Sequence, residues 1–374
     1  MISIVKVKSN KEFQAFIDFP NHLYKNNPYY VPPISADEKS VMLKEQNPVY
    51  ENADAWFFLA YKQEKLVGRI AGIINWIEIK EQHKSKMRFG WFDVIDDLEV
   101  TKKLIEAVKT IGKENELKSL EGPVGFTNMD KAGLLTKGFD QLNTMVTWYN
   151  APYYKRHLVT LGFENAATWV EYKINIPTET RPKVIKVAQI IQTRYKLRLL
   201  KFKKSKDILP YVDRMFELLN KTYSNLQTFI PIQDYQIKHY KEKYLPFIHP
   251  DFITCVTNEK NEIIAFSIVM PSFSKALQKA KGKLWPFGFL HILKAQYIND
   301  TAAFYLIGVD PEYQNKGVAA LIFKEMNETF LKKGITKVET NPELEENKAI
   351  QALWKDYEST QHKERQTFKI SIID

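Results

Sequence analysis

Along the chain, apolar positions fall into two matched arrangements. The run Trp56-Phe57-Phe58-Leu59-Ala60-Tyr61, the polar turn Lys62-Gln63-Glu64-Lys65 and the run Leu66-Val67-Gly68-Arg69-Ile70-Ala71-Gly72-Ile73 predict a β-hairpin. The layout returns at Phe252-Ile253-Thr254-Cys255-Val256-Thr257 and Ile263-Ile264-Ala265-Phe266-Ser267-Ile268-Val269, again with a polar turn between. Each hairpin follows an aromatic-rich region of helical pattern that prolines close, residues 13–33 in the first half and 208–250 in the second. Such self-similarity predicts two repeated halves.

The most informative stretch is Tyr305-Leu306-Ile307-Gly308-Val309-Asp310-Pro311-Glu312-Tyr313-Gln314-Asn315-Lys316-Gly317-Val318-Ala319-Ala320-Leu321. An apolar strand enters a proline turn and a loop with small residues at Gly317 and Ala319. A helix follows, with apolar Leu321, Ile322, Met326 and Phe330 at helical spacing. Small residues let the backbone approach a ligand, and the free N–H groups of a helix start attract anions. That geometry suits a pyrophosphate.

This stretch resembles motif A of the GNAT (acyl-CoA N-acyltransferase) superfamily, Gln/Arg-x-x-Gly-x-Gly/Ala after a strand ending in Val-x-Pro. A second resemblance, to motif B of that family, lies at Tyr149-Asn150-Ala151-Pro152-Tyr153-Tyr154, closing in Leu161-Gly162-Phe163. Its counterpart in the second half is Asn347-Lys348-Ala349-Ile350-Gln351-Ala352-Leu353-Trp354. Gly68 to Asn150 and Ala265 to Asn347 both span 82 positions. The resemblance implies an α/β (α+β) chain of two tandem GNAT-like units, each a twisted mixed sheet flanked by helices. We expect residues 1–177 to form an N-terminal unit lacking the CoA loop, 178–205 a connecting helix and strand, and 206–374 the unit with the acyl-CoA site. Residues 169–174 should be the last strand of the first unit and 196–202 the first strand of the second, its basic residues a solvated face.

The resemblance further implies acetyl-CoA or a longer acyl-CoA as donor substrate. Backbone groups of Ile307, Gly308 and Val309 would bond pantetheine as an added strand would. The amides of Gln314, Asn315, Lys316, Gly317, Val318 and Ala319 would hold the pyrophosphate, and Asn347 would complete the site. In the first unit the matching strand, 89–94, runs into Ile95-Asp96-Asp97-Leu98-Glu99 with no Gly-x-Ala loop, and Asp96 or Asp97 reads as a helix N-cap. Only the second unit should bind CoA. For the acid, the family's motif B tyrosine falls on Trp354, so Tyr357 is the substitute candidate, with a packing aromatic as its other reading. Candidates for the base are Tyr305, Glu339 and Asp300, and Asn341 would orient pantetheine or water.

Composition narrows the partners. The chain has 374 residues, 44% of them hydrophobic, enough for two packed domains. Its net charge of +10 and pI of about 9.2 favour anionic partners, and no nucleic-acid reader motif appears. One cysteine, Cys255, excludes an internal disulfide and lies in an apolar run that reads as buried. The seven histidines show no metal-ligand spacing, so no metal is expected. The start Met1-Ile2-Ser3-Ile4-Val5-Lys6 is unlike a signal peptide, and no apolar run reaches the roughly 20 residues that span a bilayer. A cytoplasmic location is expected, with a peripheral contact on the inner face of an anionic membrane.

Residues 274–294 carry five lysines beside Leu, Trp, Phe and Ile, which reads either as an insertion packed on its own domain or as an interfacial lid. Residues 122–139 are glycine-rich and read as an ordered turn or as a wall of an acceptor pocket. The function expected is acyl transfer from acyl-CoA to an amine, acetyl or long-chain, with a lipid precursor among the acceptors. The rival is a non-catalytic protein that binds acyl-CoA or docks on membranes.

Overall fold

The computed structural model describes residues 1–224, 229–243, 248–355 and 357–373, so residues 225–228 and 244–247 of the second aromatic-rich region lie outside the described residues. The chain forms two compact units: Met1–Val170 with Phe273–Ile292 and His362–Asp374, and Glu171–Ser272 with Leu293–Gln361. This corrects the contiguous division expected at residues 177 and 206. Two segments of the second half of the chain belong to the first unit.

The strands of the first half are β1 (Ile2–Lys6), β2 (Ala53–Lys62), β3 (Lys65–Asn75), β4 (Lys86–Val94), β5 (Ser119–Gly122), β6 (Leu134–Lys137) and β7 (Glu164–Asn175). Those of the second half are β8 (Arg198–Leu200), β9 (Ile253–Thr257), β10 (Ile263–Pro271), β11 (Thr301–Val309), β12 (Lys337–Glu339), β13 (Glu343–Leu344) and β14 (Glu358–Ser371). The helices used below are α1 (Asn10–Leu23), α2 (Ser35–Met42), α3 (Trp76–Lys80), α4 (Leu98–Glu114), α5 (Tyr153–Thr160), α6 (Pro182–Arg194), α7 (Leu209–Tyr223), α8 (Asp234–Lys243), α9 (Ser274–Ala280), α10 (Gly288–Tyr297), α11 (Ala319–Lys333) and α12 (Lys348–Gln351).

In the first unit the sheet order is β1-β2-β3-β4-β5-β14, antiparallel except for the parallel pair β4–β5. In the second it is β8-β9-β10-β11-β12-β7, antiparallel except for the parallel pair β11–β12. Position by position the two sheets agree, and the last place in each is taken by a strand from the other half of the chain. Both parallel pairs span three residues: Lys86, Met87 and Arg88 face Ser119, Leu120 and Glu121, and Thr301, Ala302 and Ala303 face Lys337, Val338 and Glu339. Beyond that each pair parts. The completing strands repeat one more detail, because Lys369 stands opposite Glu121 and Lys173 opposite Glu339, a favourable cross-strand pairing.

The helices follow from capping and apolar spacing. Ser9 and Glu12 form a capping box at the start of α1. Asp97 caps α4, accepting from the amides of Glu99 at 3.0 Å and Val100 at 3.4 Å, and Val100, Leu104, Ile105 and Val108 turn its buried face to β3 and β4. Phe16, Phe57 and Trp91 fill the opposite face of that sheet under α1 and α2. In the second unit, Leu321, Ile322, Met326 and Phe330 of α11 pack with Val256, Ala265, Phe304 and Val338. Gly334 ends that helix in the left-handed conformation, with φ of 72°. Cys255 is buried in β9, and burial pushes its thiol up to about 12, so it is an inert core residue as the sequence implied. No helix among the described residues is long and apolar enough to cross a membrane.

Candidate active site

In the second unit, backbone amides without acceptors among the described residues follow the end of β11. Asp310 starts a one-turn helix, 311–313, by accepting from the Glu312 amide at 3.0 Å, while Lys221 of α7 donates to its two carboxylate oxygens at 2.9 and 3.0 Å. The Asp310 amide donates back to Ile264 of β10 at 2.8 Å. The strand end is thereby fixed before the loop begins. Asn315 and Gly317 then take positive φ values of 60° and 77°. At Gly317 this conformation excludes most side chains, and an added Cβ would press on Ile191 of α6 at 3.3 Å. Among the described residues, the amides of Asn315, Gly317, Val318 and Ala319 donate to no acceptor, whereas those of Gln314, Lys316 and Ala320 are used within the turn. Four free amides at the start of a 15-residue helix form an anion cradle.

Not every group of the loop points into that cradle. Gln314 donates its side-chain amide to the Val309 carbonyl at 3.0 Å. The Lys316 ammonium lies 5.0 Å from the Tyr313 ring centre and 5.6 Å from that of Tyr195, a cation–π arrangement that holds it beside the loop.

A second group of residues meets at the parting of β11 and β12. Asn341 Nδ2 donates to the Tyr305 carbonyl at 2.9 Å, and the Tyr223 hydroxyl of α7 donates to the Ile307 carbonyl at 3.2 Å. Glu343 Oε1 accepts from Trp354 Nε1 at 2.8 Å, while Glu343 Oε2 is shut off from solvent with no hydrogen-bond partner among the described residues. Burial raises this carboxyl to about 8, because hydrogen bonds from Trp354 and Thr340 restore only part of the lost hydration. Its charge is felt by Tyr172 and by Tyr223, whose phenol burial and that charge together push up to about 12. A carboxyl raised toward neutrality in this way can take up and return a proton near neutral pH when a partner reaches it.

Sequence reasoning missed Glu343 and Tyr223. Glu343 sits in the acidic run Glu343-Leu344-Glu345-Glu346, which reads as solvated. One signal did point to it: a buried tryptophan needs an acceptor for its N–H, and Trp354 is buried between Phe304 and Phe323 at ring distances of 5.2 and 5.4 Å.

The residues expected to act sit on several different elements. Tyr305 is half-buried on β11, its phenol raised by burial. Glu339 is half-buried on β12 opposite Lys173, and Asp300 is exposed, accepting from Thr301 Oγ1 at 3.0 Å. Tyr357 lies against α11, where Asn327 Nδ2 donates to its hydroxyl at 3.2 Å and Phe323 packs on its ring. Asn347 caps the short helix α12 by accepting from the Ile350 amide at 3.5 Å.

In the first unit the equivalent strand end is closed by its own side chains. The Val94 carbonyl accepts from the Tyr153 hydroxyl at 2.6 Å, and the Val94 amide donates to the Tyr154 hydroxyl at 2.8 Å. Tyr154 is bonded to Tyr24 at 2.6 Å, Tyr24 donates to Asp93 at 3.1 Å, and Arg69 holds the other oxygen of Asp93 at 2.7 Å. Asp96 pairs with Arg156 at 2.8 Å and His157 at 2.9 Å, so Asp97 alone is the N-cap left open between the two. The glycine-rich stretch closes the parting of β4 and β5: Val124 donates to the Phe89 carbonyl at 2.8 Å, and Lys131 reaches Glu38 at 2.9 Å. Its residues Leu134–Lys137 form β6.

Residues 212–357 match the model of the acetyltransferase (GNAT) family. The chain is 25% identical to Protein YghO of Escherichia coli (strain K12), over 92% of this chain and 89% of that one. It is 22% identical to the Bacterial ceramide synthase of Caulobacter vibrioides (strain NA1000 / CB15N), over 99% and 98%. In fold it is similar to a tandem GNAT protein from the clavulanic acid biosynthesis pathway, with a TM-score of 0.60 at 10% identity, covering 100% of this chain and 99% of that one. A GCN5-related N-acetyltransferase from Sphaerobacter thermophilus gives 0.53 at 7% identity, over 99% and 96%.

Proposed function

Carrying a GNAT domain over residues 212–357 in a tandem GNAT fold, the chain belongs to the GNAT superfamily, and we propose that it is a CoA-dependent N-acyltransferase whose donor site lies in the second unit. The observation that carries this reading is the run of free amides at Asn315, Gly317, Val318 and Ala319 directly after the parted edge of β11. These amides would hold the pyrophosphate, with the backbone of Ile307, Gly308 and Val309 pairing with the pantetheine amides. Glu343 would accept a proton from the attacking amine at its unpaired Oε2, which the bound acceptor must uncover, and hand one to the departing thiolate. Trp354 and Thr340 keep it oriented, and Tyr223 lines the same strand end. The amine nitrogen bonds to the thioester carbonyl carbon as the C–S bond breaks, so the proton balance closes within the site.

For the acceptor, we favour the amine of a lipid precursor and a long acyl chain, on the support of full-length similarity to a protein named bacterial ceramide synthase. Trp354 in place of the family's acidic tyrosine favours a second reading, an acyl-CoA-binding protein without turnover. Mixing the purified protein with acetyl-CoA or palmitoyl-CoA and a panel of amines, and measuring thiol release, tests both. Amine-dependent release supports transfer. Tight binding of both donors with no release across the panel supports the second reading, and absence of CoA binding overturns both.

A further inference from the structure

A different part of the molecule presents apolar groups to solvent for which the fold has no use. Residues 273–292 pack into the first unit through α9, where Ala276 and Leu277 are buried. Gln278 Nε2 donates to the carbonyls of Pro28 at 2.8 Å and Tyr30 at 2.9 Å. The Gly282 carbonyl accepts from the Ser35 amide at 3.0 Å, and a Cβ on Gly282 would stand 2.3 Å from the Pro33 carbonyl oxygen. The base of the segment is therefore fixed to the loop between α1 and α2.

Beyond this base, large apolar side chains stand in solvent close together. Trp285 is 81% exposed, Phe287 71% and Leu290 51%, all within six positions. Phe289 is half-buried, its ring centre 5.6 Å from that of Trp285. Lys275, Lys279, Lys281 and Lys283 are exposed and make no ion pair among the described residues. The segment contains no aspartate or glutamate. A soluble surface of this kind usually sets its lysines against acidic neighbours and buries its tryptophan.

We propose that residues 283–290, on the fixed base formed by α9, dock the protein on an anionic phospholipid bilayer. The aromatic and leucine side chains would enter the interface while the lysines meet the phosphates. Two features select a bilayer over a protein partner. The charge is of one sign and spread along the segment, as suits a sheet of headgroups. Tryptophan and phenylalanine beside lysine are the residues that settle at a lipid–water boundary. This inference is independent of acyl transfer, since the segment lies in the unit without the amide cradle.

Flotation with vesicles tests it. The intact protein should float with phosphatidylcholine vesicles containing about 30% phosphatidylglycerol, bind at least tenfold more weakly to phosphatidylcholine alone, and release in 0.5 M salt, because exposed charges are screened over about 8 Å already at physiological strength. The combined variant Trp285→Ser, Phe287→Ser and Leu290→Ser should lose at least tenfold in vesicle affinity with an unchanged melting temperature and unchanged CoA binding. Lys279→Gln with Lys281→Gln and Lys283→Gln should lose the preference for phosphatidylglycerol. A wild-type protein that stays unbound at low salt overturns the proposal, as does a serine variant that floats equally well. Concentration-dependent self-association that the serine variant abolishes, without vesicle binding, would assign the patch to a second copy of the chain and likewise overturn it.

Discussion

Trp354 holds Glu343 by a single hydrogen bond, indole Nε1 to carboxylate Oε1 at 2.8 Å, and leaves the other, buried oxygen of that carboxylate without a partner among the described residues. In the register expected from the sequence, the motif B tyrosine falls on this tryptophan, which cannot give up its proton and, in the proposed reaction, would orient the carboxyl that does. Trp354→Phe keeps the packing on Phe304 and Phe323 and removes the donor. A donated hydrogen bond favours the ionised carboxyl, so its loss should raise the Glu343 pKa above about 8. The acidic limb of the kcat/KM profile should move alkaline by about one unit, which a pH–rate series would read.

Glu343→Gln should lower turnover by about 10²-fold or more and leave CoA affinity within about twofold. The same substitution has a signature in stability. The carboxyl is raised from an ordinary 4.5 to about 8, so between those values the folded state binds more protons than the unfolded one. Stability from this group is full below pH 4.5 and is lost as the pH rises toward 8. The glutamine variant should therefore melt above the wild type at pH 8 and lose that advantage at pH 5. Calorimetry across this range checks it, and equal melting temperatures at both ends would count against a buried, raised carboxyl.

Gly317→Asp should weaken CoA binding at least about tenfold. The substitution adds a charge where phosphate would rest, forces a side chain at φ of 77° and crowds Ile191. Gly317→Ala, lacking the charge, should cost about 1 kcal/mol of stability through backbone strain and a smaller part of the affinity. Titration calorimetry with CoA compares the two.

Donor stoichiometry should be one per chain, because the first unit spends the end of β4 on Tyr153 and Tyr154. Asp97→Ala should cost about 1 kcal/mol through the lost N-cap of α4 and leave CoA binding unchanged, as should Asp96→Ala. A measured stoichiometry of two would contradict this asymmetry.

Tyr357→Phe is expected to leave turnover within about threefold and to cost about 1 kcal/mol of stability, the usual loss for one hydrogen bond. Its hydroxyl is held by Asn327 on the side of α11. A fall of about 10²-fold would instead assign the thiolate's proton to this tyrosine.

The sequence was most readable where chemistry and periodicity coincide. Both hairpins, the strand into Val309, the Gly317 loop and the apolar face of α11 follow from local patterns, because alternate or helical burial leaves its period in the residues. The exchange of β7 and β14 left no such mark. Strand β14 reads Glu-Ser-Thr-Gln-His-Lys-Glu-Arg-Gln-Thr-Phe-Lys-Ile-Ser, a polar run with no alternation to announce burial. It is buried by partners more than 200 positions away: Arg365 donates to the Trp148 carbonyl at 2.6 Å and to Asn143 at 3.0 Å, and Phe368 joins the core of the first unit. Glu343 was hidden likewise, since its surroundings come from Thr340 and Trp354 and not from its own run. Phe368→Ala should destabilise the protein by about 3–5 kcal/mol, read as a lowered urea midpoint, although the residue lies far in sequence from most of the core it completes.

The exchanged strand also orders events in time. Residues 1–170 can pair β1 through β5 soon after they leave the ribosome, but the free edge of β5 finds its neighbour only when residues 362–374 have been made. At 5–20 residues per second, the 192 positions from Val170 to His362 take roughly 10–40 s to synthesise. For that interval the nascent chain displays an unpaired strand with Leu120 and Glu121 on it, a template for any other extended segment nearby. A ribosome stalled within this window would hold a half-finished sheet, and such stalled chains should be captured by chaperones that bind open strand edges.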